Sequence, residues 1–172
     1  MKYFIFLTVI ISIGIIAMST SFEMMNTGVH EPSIRSLYKE DTSFLFFLDR
    51  SSSFYHFYSI SEEPPYLSTR KIGHFFAYGI LAAFLFFLIP IERFWLRGAL
   101  AFSSSSLVSL IDEIHQHFLI DRSGRILDVY INTAGSFVFV FGLVVVCYVI
   151  KLVQTVITLL FFRRKGEHKK TA

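Results

Sequence analysis

The sequence predicts an all-α fold, a bundle of four transmembrane helices with an extended extracytoplasmic first loop, and three observations predict it. The 172 residues are 53% hydrophobic and include 21 phenylalanines, with a mean hydropathy of +0.57. That is too apolar and too aromatic for an ordinary water-soluble domain of this length. Four apolar runs are each long enough to be read as a membrane crossing. The last three runs carry their ionisable residues at one end only, and successive crossings bring the start of the second, the end of the third and the start of the fourth to one side.

The first span, about residues 3–19, follows Lys2 and is either a transmembrane helix or the apolar part of a cleaved signal peptide, for which Ala17, Ser19 and Ser21 are small enough. A retained helix puts Lys2 and the basic C-terminus on the same side, and the chain is read that way. Residues 20–69 form the outer loop. Its aromatic clusters at 44–48 and 54–58, between the acidic pairs Glu40-Asp41 and Glu62-Glu63, suit short helices on the membrane surface or capping the bundle. Pro64 and Pro65 break the chain before the second span, about 72–89, which stops at Pro90.

A short turn with Glu92, Arg93 and Arg97 leads to the third span, about 95–116, with Trp95 as an interfacial anchor. The fourth, about 129–150, is roughly 33 Å long at ~1.5 Å per residue, enough to cross. Residues 152–162 are too short to cross again and read as a continuation of that helix or an interfacial segment. The tail 151–172 is basic, with Lys151, Arg163, Arg164, Lys165, Lys169 and Lys170. Such a tail favours the cytoplasmic face and its anionic lipids. The expected protein is one multi-pass domain, 1–172, in the cytoplasmic membrane, N-in and C-in, with lipids as partners. No motif supports nucleic-acid binding, and the single Cys147 excludes an intrachain disulfide.

Arg70, His74 and Tyr78 are spaced four apart and share a face of the second span, with Lys71 three residues before His74. Lys71 can snorkel to the headgroups, whereas His74 and Tyr78 lie deeper and need polar partners. Ser105, Ser109, Asp112 and Gln116 form a polar stripe on the third span that must face protein or water. The serines read as packing residues. Asp112 and Glu113 point in different directions around that helix, so one is expected to pair with Arg70, Lys71 or Arg122 and the other to remain for chemistry or binding.

In the following turn, Gly124 is available for a positive φ. Asp128, Asn132 and Gly135 share a face of the fourth span, where the helix dipole favours Asp128 and where Gly135 and Gly142 fit close helix contact. Glu113 with His117, and Asp112 with His115, have spacings that can chelate an ion. One helix cannot turn His115 and His117 to the same side, however, and no metal or other cofactor is expected.

Taken together, Arg70-Lys71-x-x-His74-x-x-x-Tyr78, Asp112-Glu113-x-x-Gln116-x-Phe118, Arg122-Ser123-Gly124 and Asp128-x-x-x-Asn132-x-x-Gly135 resemble the VanZ-like family of small bacterial membrane proteins. The resemblance implies four membrane helices and a link to the cell envelope, where the family's named member is associated with resistance to the glycopeptide teicoplanin. It attaches no reaction to the chain, so whether this is an enzyme stays open.

On this reading His74, Asp112 and Glu113 are the candidate acid–base groups. Arg70, Lys71, Tyr78, Gln116, Arg122, Asp128 and Asn132 are the candidate ligand-binding groups, for a lipid-linked envelope saccharide or phosphate. Guanidinium and ammonium suit phosphate or carboxylate. The alternatives are a non-catalytic assembly protein for envelope enzymes and, last, a transporter, which the apolar stretches 81–89 and 143–150 disfavour.

Overall fold

The computed structural model describes the backbone of residues 11, 13–14, 39, 44–55, 65–119 and 124–168, and their side chains except at 44, 65–70 and 162–168. Among these residues the protein is all-helical, with two short 3₁₀ helices, η1 (Phe44–Phe47) and η2 (Ser53–Tyr55), and three long helices, α1 (Pro65–Leu88), α2 (Phe94–Phe118) and α3 (Ile126–His168). All three long helices are long and apolar enough to cross a membrane. That is three spans where four are expected. The missing one, 3–19, falls mostly outside the described residues, although Ile11, Ile13 and Gly14 are helical and Ile11 packs at the edge of the core.

Two boundaries differ from expectation for clear reasons. Helix α1 begins at Pro65, because a proline at the first helical position lacks only an N–H that would have no partner there. At the other end, the structure takes the first of the two readings of 152–162, a continuation of the helix: α3 runs unbroken past 150, through Lys151 to His168, 43 residues in all. A lone charge does not end a helix, and no glycine or proline intervenes before Gly166.

The turn after α1 is held by Arg97. Its Nε donates to the Ile91 carbonyl at 2.6 Å, and its guanidinium lies over the Phe86 and Phe94 rings at 5.5 and 5.8 Å. Helix α2 therefore runs antiparallel to α1, and α3 returns beside both. The outward faces are apolar, as on α1 with Ile72, Phe76, Ile80, Phe84 and Phe87, all exposed. Lipid is the solvent that such a surface fits.

The interior divides into two halves. Around the turn end, Ala82, Leu85, Phe86, Ile89, Ala101 and Val140 form an apolar core. Toward the other end the buried groups are polar: Ser104, Ser105, Ser109, Asp112, Glu113, Gln116, His117, Asn132 and Ser136. Two glycines set the spacing there. A Cβ on Gly135 would run into the Phe75 carbonyl of α1, and one on Gly124 into the Glu113 carbonyl of α2. Gly124 does not have a left-handed φ, contrary to expectation; it is needed for close approach. Among the described residues Gly142 meets nothing within 4 Å, so none of them makes the expected close contact there.

Candidate functional site

The polar half is built in layers. Deepest, the Ser105 hydroxyl donates to the Tyr78 carbonyl at 3.1 Å and lies 2.9 Å from the Ser136 hydroxyl, which donates to the Asn132 carbonyl at 3.0 Å. One residue from each long helix meets at this level. A hydroxyl on a helix face removes the need for a bulky side chain and satisfies itself on a backbone carbonyl. Ser136 is the member that the sequence reading missed. Its only signal is its position one turn beyond Asn132.

A turn nearer the site, Asn132 Nδ2 donates to Ser109 Oγ at 3.0 Å. Asn132 is fully buried and its Oδ1 has no hydrogen-bond partner. Above it, Asp112 Oδ2 accepts from the Tyr78 hydroxyl at 2.9 Å and from Gln116 Nε2 at 2.8 Å. Asp112 Oδ1 is buried without a partner. Among the described residues, the groups that bond Asp112 are therefore neutral, the Tyr78 hydroxyl and the Gln116 amide. Glu113, 1% exposed, accepts at Oε2 from the Arg125 backbone N–H at 3.2 Å. The adjacent carboxylates do not diverge as expected: one oxygen of each and one nitrogen of His74 all lie within 4.8 Å of one another. The His74 ring also stacks on Tyr78, centroids 6.2 Å apart.

Of the two α2 histidines at a chelating interval from the carboxylates, His117 faces other neighbours. His117 Nδ1 lies 3.3 Å from the Gly124 carbonyl, and its ring stacks on Phe46 at 4.1 Å and meets the edge of Phe54 at 5.8 Å. Phe54 is fully buried. The aromatic clusters of the first loop thus form η1 and η2 and cap the end of α2, while Leu45 and Leu48 stay exposed. Lys39 completes the cap. Its backbone N–H donates to the Phe118 carbonyl and its Nζ to the His117 carbonyl, both at 2.9 Å, and a cation at a helix C-terminus is favoured by the dipole. Burial lowers its pKa from the ordinary lysine value.

A family model, VanZ/LLP1, matches residues 3–162. The chain belongs to the VanZ/LLP1 family. All the motif residues that carry the resemblance lie inside the matched stretch, and with three apolar helices the protein is a VanZ-like membrane protein. No curated protein and no solved structure shows significant similarity to it.

Of the candidate residues, the structure brings His74, Tyr78, Asp112, Glu113, Gln116 and Asn132 into this one half of the bundle. Lys71 and Asp128, both half-buried, stand at the same helix ends. Arg122 and the side chain of Arg70 fall outside the described residues.

Proposed function

We propose that this VanZ/LLP1 protein acts at the outer face of the cytoplasmic membrane on or with a cell-envelope component, lowering susceptibility to glycopeptides such as teicoplanin. The observation that carries the reading is the convergence of the half-buried His74 of α1 with the buried Asp112 and Glu113 of α2 at one end of the bundle. Such groups are expensive in a membrane and are retained where they do something. The excess of lysine and arginine on the side of Lys2 and the C-terminus supports an N-in, C-in chain with the site outward.

Arg70, Lys71 and Arg122 at the rim hold a phosphate or carboxylate of a lipid-linked saccharide. Tyr78, Gln116, Asp128 and Asn132 line the approach. His74 and one of Asp112 or Glu113 serve as acid and base if a bond is made or broken. The test is glycopeptide tolerance of cells carrying Asp112→Asn or His74→Ala. Both variants, folded and correctly localised, are expected to lose tolerance; full tolerance sinks the assignment.

One observation favours a second reading. The hydrogen bonds that Ser105 and Ser136 make with each other and with the Tyr78 carbonyl lock the helices together without any ligand, as an assembly protein for envelope enzymes needs. In-cell crosslinking that yields a stoichiometric protein partner and no lipid favours this alternative.

A further inference from the structure

We propose that His74, Asp112 and Glu113 form a binding site for one divalent transition-metal ion, of the Zn²⁺ or Mn²⁺ type, between α1 and α2. The inference goes beyond the envelope reading and does not depend on it, since ion binding is measured directly.

Three atoms no more than 4.8 Å apart all lie within about 2.8 Å of a common point, and metal–nitrogen and metal–oxygen bonds are about 2.0–2.2 Å. Side-chain shifts of well under 1 Å close that gap. A further feature points to an ion. Asp112 is 4% exposed, and its Oδ1 is buried with no hydrogen-bond partner, while Oδ2 is held by Tyr78 and Gln116. One oxygen is thus oriented through its neighbour and the other left with lone pairs to give, which is how carboxylate ligands are supported.

The donor chemistry narrows the ion. One imidazole and two carboxylates suit Zn²⁺ or Mn²⁺, the absence of a thiolate among the three disfavours Cu⁺, and the imidazole disfavours Mg²⁺. The charges also match, because a divalent cation with two carboxylates and a neutral imidazole sums to zero, the state that a low-dielectric interior tolerates.

The full-length protein, purified in detergent and stripped with chelator, is titrated with Zn²⁺ alone and with Mn²⁺ alone. One ion per chain is expected, with a rise in Tm on loading. His74→Gln and Glu113→Gln are each expected to weaken binding at least tenfold and remove the Tm rise, while His115→Gln leaves both intact. Should a variant fail to fold, a Zn²⁺-induced shift of the His74 resonance in ¹⁵N-histidine-labelled wild type is the readout. The proposal is overturned by wild type with no saturable binding at millimolar ion, by binding that ignores both substitutions, or by a shift at another histidine. Loss in His115→Gln alone also overturns it, since that places the ion on the Asp112–His115 pair.

Discussion

The two halves of this bundle use the same three helices and are held in opposite ways. Around Phe86 the helices meet through apolar side chains that lipid could also solvate, so what holds them is close packing. Around Asp112 they meet through hydroxyls, an amide and carboxylates, all buried. Lipid cannot replace those partners. The contrast teaches that the polar half commits the fold to one register and the apolar half supplies shape, so substitutions in the two should fail differently.

The largest effect should come from the glycine at the helix crossing. Gly135→Leu drives a side chain into the Phe75 carbonyl, and a loss of more than about 4 kcal/mol, seen as no monodisperse protein, is expected. Gly142→Leu, with open space around it, should be near neutral and is its control. Next comes Phe86→Ala in the apolar half, fully buried, at about 3 kcal/mol in detergent unfolding, the low end for such a cavity because lipid can enter. Tyr78→Phe removes one donor from Asp112 and should cost about 1–2 kcal/mol. If it costs nothing, the polar half is not the lock described. The smallest effect belongs to the cap: Phe46→Ala strips the ring stacked on His117 and should cost about 1 kcal/mol, with faster proteolysis at residues 44–55.

Three of the four spans were legible because Pro65 and Pro90 punctuate an otherwise continuous apolar signal, although Pro65 opens α1 where a break before it was expected. The far end of α3 was legible only as one of two readings, a continuing helix or an interfacial segment, since the basic residues beyond 162 look like a solvated tail. The polar stripe of α2 was legible from its spacing, and so was the face of α1 that holds His74 and Tyr78. The meeting of Glu113 with Asp112 was missed for a physical reason. Neighbours on a helix start about 100° apart, but a glutamate is long enough to return to its neighbour's side when a facing helix supplies the third group. Spacing along one helix put His115 and His117 at chelating intervals from the carboxylates but faced them apart, whereas the His74 imidazole comes from another helix. Gly124 was assigned to turn chemistry because close approach of two backbones leaves no mark in sequence.

One consequence concerns the bilayer itself. The apolar stretch of α3 covers 36 residues, about 54 Å of rise against a hydrocarbon thickness of about 30 Å. Leaning at the ordinary upper limit of ~40°, it would still overshoot by about 11 Å. A crossing α3 would therefore carry several turns of greasy helix in the headgroup region or bent along it.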